Sequence, residues 1–162
     1  VFDAFEAMHK ERNDLRLILV GDGPQRSEWQ QRHPEHVFAG MRVGEDLARH
    51  YASGDVFLFP SLSETFGNVT LEAMASGLAV IAYDYAAARE HIQHQENGIL
   101  VKAGDASSFC QAAAELAVMP EQIGTLRSAA AQTAAHIGWL QVFSEFEQQL
   151  FEVIKNWEQS HD

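Results

Sequence analysis

The stretch Val56-Phe57-Leu58-Phe59-Pro60-Ser61-Leu62-Ser63-Glu64-Thr65-Phe66-Gly67-Asn68-Val69-Thr70-Leu71-Glu72-Ala73-Met74-Ala75-Ser76-Gly77-Leu78-Ala79-Val80-Ile81-Ala82-Tyr83 decides the fold. It opens and closes on apolar runs, Val56 to Phe59 and Leu78 to Tyr83, that lack polar alternation, as strands buried on both faces do. Between them lie a polar loop and a helical pattern over residues 68 to 76. Asn68 or Gly67 is placed to cap this helix, Gly77 to end it, and Leu71 with Ala75 to form its buried stripe. A strand, a loop, a helix and a second buried strand make one unit of a parallel sheet.

The same alternation runs outward in both directions. Leu15 to Val20, Val37 to Ala39 and Ile99 to Val101 read as further strands. Helices are expected near residues 25 to 33, 44 to 53, 86 to 94 and 105 to 118, and Gln122 to Ala135 and Trp139 to Trp157 read as two closing helices. The fold class is therefore α/β, a doubly wound parallel sheet with a helical C-terminus. Trp139, Phe143, Phe146, Leu150 and Trp157 recur at helical spacing, which predicts core packing. Val1, Phe2, Phe5 and Met8 also recur at helical spacing and would pack on a strand preceding them, so the first strand and its loop are expected to be missing. With 162 residues, 46% of them hydrophobic, the chain suits one compact domain, truncated at its N-terminus.

Eleven basic residues against 23 acidic ones leave a formal charge of -12, which repels nucleic acid and anionic headgroups. A small phosphate ligand remains compatible, since backbone amides at a helix start bind phosphate without a basic surface. No run approaches the ~18 apolar residues of a bilayer span and no signal peptide opens the sequence, so the chain reads as soluble and cytoplasmic. The lone Cys110 reads as a small core residue of the helix around Phe109 to Leu116.

The chemistry centres on Ser61 to Gly77. Free amides at the helix start, with Gly67 permitting close approach, suit a diphosphate at the C-terminal edge of a parallel sheet. Glu72 inside the helix could accept from a ribose diol and Glu64 in the loop from sugar hydroxyls, because a carboxylate takes two hydrogen bonds from neighbouring hydroxyls. Read by spacing alone, a polar loop Glu and a solvated helix Glu are the commoner account of these two residues, since Glu pairs are common. Gly21-Asp22-Gly23 begins like a dinucleotide fingerprint, but Arg26 stands at the third glycine position; a tight turn, with Pro24 opening a helix, accounts for it as well as ligand contact does. His91 and His94 lie one turn apart and His33 and His36 flank a proline, with no third ligand evident, so no metal site is expected.

These motifs resemble the retaining GT-B glycosyltransferases of glycosyltransferase family 4 (group 1). The resemblance rests on Glu64 and Glu72 with seven residues between them, on Val20-Gly21-Asp22-Gly23-Pro24, Phe38-Ala39-Gly40, Tyr51-Ala52-Ser53-Gly54-Asp55-Val56, Glu72-Ala73-Met74-Ala75-Ser76-Gly77 and Asn97-Gly98-Ile99-Leu100-Val101. It implies the Rossmann-like C-terminal half of a GT-B fold, binding a nucleoside-diphosphate sugar such as GDP-mannose or a UDP-hexose. Glu64 would contact the transferred sugar as the catalytic residue and Glu72 would bind the ribose. Thr65, Phe66, Gly67 and Asn68 would meet the diphosphate, and Val69 the nucleoside. Gly21, Asp22 and Gly23 would line the pocket, and Met41 and Arg42 would meet the base. No cofactor and no metal are implied.

The acceptor, a lipid or glycan, would be held by an N-terminal domain of the same enzyme, through which the protein would sit peripherally at the inner membrane; the domain itself would touch no membrane. Two departures stand out. The family's Arg and Lys, which neutralise the donor phosphates after the first strand, have no counterpart, so the chain alone is expected to be inactive. Ala86-Ala87-Ala88 also stands where many members carry a glycine pair. The residues leave two rival readings open, a non-catalytic nucleotide-binding or interaction domain and a hydrolase using Glu64 and Glu72 as acid and base.

Overall fold

The computed structural model describes residues 1–63 and 68–137, together with Gln148 and Phe151. Among these residues helices and strands alternate: α1 (Phe2–Glu11), β1 (Ile18–Val20), α2 (Arg26–Arg32), β2 (Val37–Gly40), α3 (Gly44–Ala52), β3 (Val56–Phe59), α4 (Asn68–Ala75), β4 (Ala79–Tyr83), α5 (Ala86–His91), β5 (Ile99–Val101), α6 (Ala106–Ala117) and α7 (Pro120–His136). The proposed helix from Trp139 to Trp157 lies outside the described residues.

Every strand pairing is parallel, as expected for the α/β class. Among the described residues the strands form two groups, β1-β2 and β3-β4-β5, with no pairing between β1 and β3. All five residues of β4 are buried, and they alternate between two core clusters. Ala79, Ile81 and Tyr83 pack with Ala4 and Met8 of α1 and with Phe109, Ala113 and Leu116 of α6. Val80 and Ala82 face the other way, onto Met74 of α4, Ala88 of α5 and Ala130 of α7. Helices therefore cover both faces, which is why these strands carry no polar alternation. Ile81, Phe109 and Leu116 are fully buried, and each such side chain contributes roughly 1.5–3 kcal/mol of transfer free energy. Cys110 packs against the first cluster from within α6 as a free thiol.

Local chemistry sets the helix ends. Asp105 caps α6, its carboxylate accepting from the Ser108 amide at 3.0 Å and from the Ser108 hydroxyl at 2.8 Å. The Ser108 amide, followed by its hydroxyl, holds the Asp105 carboxyl below its ordinary value. α7 begins at Pro120 rather than Gln122, since proline at the first helical position sacrifices no hydrogen bond. α4 ends in a Schellman motif: Gly77, at φ +72, donates to the Met74 carbonyl, and Leu78 donates to that of Ala73.

Two expectations change in detail. The buried stripe of α4 is Thr70, Ala73 and Met74, while Leu71 is half-buried and Ala75 exposed. The stripe is rotated by one residue because Thr70 turns inward despite its hydroxyl. Pro24 lies in the turn before α2, which begins only at Arg26.

Candidate functional site

In open α/β sheets ligands bind beyond the carboxyl ends of the strands, where loops feed the next helices. Here the loops at issue are Gly21 to Gln25 after β1, Met41 to Val43 after β2, and the segment from Pro60 to the start of α4 after β3. Of that last segment Glu64, Thr65, Phe66 and Gly67 lie outside the described residues, so the loop Glu, the two residues beside it and the close-approach glycine receive no structural description. Asn68, Val69 and Glu72 are described. Asn68 opens α4, Val69 is 38% exposed at its first turn, and Glu72 is exposed one turn further on.

Glu72 does not stand free. The Tyr51 hydroxyl, from the last turn of α3, donates to Glu72 Oε2 at 3.2 Å. Burial, and then the Glu72 charge, pushes the Tyr51 phenol up to about 12, so it stays a donor throughout the physiological range. One carboxylate oxygen is thereby held from α3, while the remaining lone pairs stay available to a ligand. This partner was hidden in the sequence: Tyr51 opens one of the motifs above, but 21 residues separate it from Glu72.

The two loops after β1 and β2 are tied together. Gly21 donates its amide to the Gly40 carbonyl at 2.9 Å, and Asp22 accepts from the Gly23 amide at 2.8 Å. Arg26 Nη1 reaches Asp22 Oδ2 at 3.4 Å, and the guanidinium lies so close to Gly40 that an added Cβ would sit 3.0 Å from Nη1. Arg26, which breaks the fingerprint, thus fills the space between the loops with a cation. The Gly21 amide thus ties this turn to the end of β2. Beyond it, Met41 is 63% exposed, and Arg42 pairs with Asp46 at 3.3 Å while its Nε is buried without a partner among the described residues.

Asp84, after β4, is held by Arg89 through Nε at 2.8 Å, with Arg89 Nη2 donating to the Asp84 carbonyl at 2.8 Å. Ala86 follows at φ +45, a left-handed conformation unusual for alanine. A cleft of about 450 Å³ lies beside this segment, lined by Asp84, Arg89, His94, Leu100 and Lys102 among others. It lies at the carboxyl ends of β4 and β5, and its arginine and aspartate already pair with each other.

Other candidates prove structural. His94 Nδ1 accepts from the Leu100 amide, in the middle of β5, at 3.1 Å, which occupies that nitrogen. Asn97, 4% exposed, donates to the His91 carbonyl and to Thr133 Oγ1 and accepts from the Gln93 amide, fastening the loop before β5 to α7. Arg127 of α7 donates to the Gly77 carbonyl at 2.7 Å and pairs with Asp55, clamping the end of α4 to the turn before β3.

A family model described as "Glycosyl transferases group 1" matches residues 1–118. The chain belongs to the group 1 glycosyltransferases. Over 91 residues this glycosyltransferase chain is 45% identical to a GDP-mannose-dependent alpha-mannosyltransferase of Mycobacterium tuberculosis, covering 56% of this chain and 24% of that protein. It thus spans about a quarter of that relative's length. Among solved structures, Anabaena HepE in complex with UDP matches with a TM-score of 0.77 at 22% identity, covering 93% of this chain and 44% of that one. The C-terminal domain of a group 1 glycosyl transferase family protein, LpcC from Francisella tularensis, matches with a TM-score of 0.70 at 22% identity, covering 84% and 78%. At these identities the structural matches establish the fold, a Rossmann-like half of a GT-B glycosyltransferase. Among the described residues no helix is long and apolar enough to cross a membrane.

Proposed function

We propose that this domain binds the donor of a retaining hexosyltransferase, with GDP-mannose as the nucleotide sugar, and that another domain of the same enzyme binds a lipid or glycan acceptor. The observation that carries the reading is the Glu72 carboxylate, held by Tyr51 one turn beyond the start of α4. A diphosphate at the amides of that helix start would bring its ribose toward Glu72, one turn further on. Glu64 would contact the transferred sugar, Thr65, Phe66, Gly67 and Asn68 the diphosphate, and Val69 the nucleoside. Gly21, Asp22 and Gly23 would line the nucleotide pocket, with Met41 and Arg42 toward the base. The 45% identity to a GDP-mannose-dependent enzyme supports guanine and mannose over a UDP-hexose.

In this scheme charge builds on the departing diphosphate, and preorganised amide dipoles stabilise it there. The break in the sheet between β1 and β3 supports a further strand between them, because the doubly wound order places its first strand at that position. The phosphate-neutralising cations would follow that strand, so the chain by itself is expected to bind donor without turning it over. Calorimetric titration with GDP, UDP and ADP tests the reading. GDP should bind most tightly; tighter UDP binding would overturn the base assignment, and no saturable binding of any of them would overturn the donor role.

A further inference from the structure

A different group of side chains sits at the opposite edge of the sheet, in the turn that leads from α2 into β2. His33-Pro34-Glu35-His36 is closed by the His36 amide donating to the His33 carbonyl at 3.2 Å, with proline at the second turn position. Such a turn brings its first and last residues side by side and raises the third between them. One ligand atom from each of His33, Glu35 and His36 lies within 4.8 Å of the other two. Sequence spacing showed two histidines flanking a proline; the structure supplies Glu35 as the third donor.

The distances suit a shared ion as well as a loose ion pair. His33 Nδ1 and His36 Nε2 each stand 3.4 Å from Glu35 Oε1. A charge-assisted hydrogen bond is shorter, roughly 2.7–2.9 Å. Ligands about 2.0–2.1 Å from a tetrahedral zinc ion lie roughly 3.3–3.4 Å from one another, which is the spacing of both His–Glu pairs, with the two imidazole nitrogens within 4.8 Å of each other. The imidazoles are also held in place before any ion arrives. They are inclined by only 5° to each other, Phe2 lies parallel over His33 at 4.3 Å between centroids, and Phe5 meets His36 edge-on at 5.0 Å. The His36 side chain is only 10% exposed, nine-tenths buried, yet its Nε2 is aimed at the cluster. Beside it opens a cleft of about 210 Å³, lined by Phe5, Glu6, His9, Arg16, Glu35 and His36, which gives water access to a fourth position.

We propose that His33, Glu35 and His36 form a binding site for a zinc-class divalent cation, with two imidazole nitrogens, one carboxylate oxygen and a water completing the tetrahedron. The site is separate from the nucleotide region. It would fix the turn on which α1 leans through Phe2 and Phe5.

The test is calorimetric titration of the tag-free protein with Zn²⁺, alongside Mg²⁺. The expected result is one equivalent of Zn²⁺ bound, a raised melting temperature, and no response to Mg²⁺, whose preference for an all-oxygen octahedron this turn cannot meet. His33→Gln and His36→Gln should each weaken binding more than about tenfold, and the double variant His91→Gln with His94→Gln should leave it unchanged. Since His36 is part of the packing, Glu35→Gln at an exposed position supplies the control that keeps the fold, and it too should weaken Zn²⁺. X-ray absorption of the zinc-loaded protein should show two imidazoles and at least one oxygen. Zn²⁺ binding that survives Glu35→Gln and His36→Gln undiminished, or no saturable Zn²⁺ binding at all, would overturn the assignment.

Discussion

Tyr51 and Glu72, on neighbouring helices, are joined by a 3.2 Å hydrogen bond from phenol to carboxylate. The bond orients the acid proposed to read the ribose, while burial of the phenol, and then the Glu72 charge, raises its titration to about 12.

Tyr51→Phe removes that donor while keeping the ring against Phe57. Nucleotide affinity should fall by about 0.5–1.5 kcal/mol, the usual worth of one hydrogen bond, with circular dichroism unchanged. A phenol whose folded value lies above the ordinary ~10 favours the fold while protonated, so its contribution is complete below about pH 10 and is lost as pH rises toward 12. Denaturant melts across that window should lose stability in the wild type more steeply than in Tyr51→Phe. Parallel curves would contradict the raised phenol value, which burial causes first and Glu72 second.

Asn97→Ala strips three hydrogen bonds from a buried position and leaves the Gln93 amide without its acceptor. A loss of about 1–3 kcal/mol in chemical denaturation is expected. A loss within the error of the melt would mean that water replaces the side chain.

Ala86→Gly should stabilise the fold. At φ +45 alanine bears a left-handed conformation costing about 1–2 kcal/mol, whereas glycine's added chain entropy costs about 0.5–1 kcal/mol. The expected net gain is up to about 1.5 kcal/mol in the same melts, and a net loss would contradict it.

Gly40→Ala meets two obstacles, a φ of +78 and the Arg26 guanidinium 3.0 Å from the new Cβ. Pairing it with Arg26→Ala separates them. The steric share should vanish in the double variant, while the conformational cost of about 1–2 kcal/mol should remain. Full recovery would show that the backbone conformation at Gly40 is unstrained for alanine.

The fold was largely legible because buried parallel strands announce themselves. Val56–Phe59 and Ile99–Val101 begin and end where their apolar runs do. β1 is shorter than its run, since Leu15 packs against the core from a loop and Leu17 contributes only its carbonyl, to the Val37 amide. Polarity misled at Thr70, whose hydroxyl hides a buried position, and at Leu71, which is only half-buried. For the candidate site, motif spacing identified Glu72 but not Tyr51, because the link joins α3 to α4 across the intervening β3 and carries no local signature. Arg26 and Arg127 escaped for the same reason: each acts on a segment distant in sequence.

The donor-binding account stands or falls on what Glu72 recognises. Titrating the wild type and Glu72→Gln with GDP and with 2′,3′-dideoxy-GDP measures it directly. If Glu72 accepts from the ribose hydroxyls, Glu72→Gln weakens GDP by about 1–3 kcal/mol, while the dideoxynucleotide binds both proteins alike. Equal affinity of the two proteins for GDP would contradict the account.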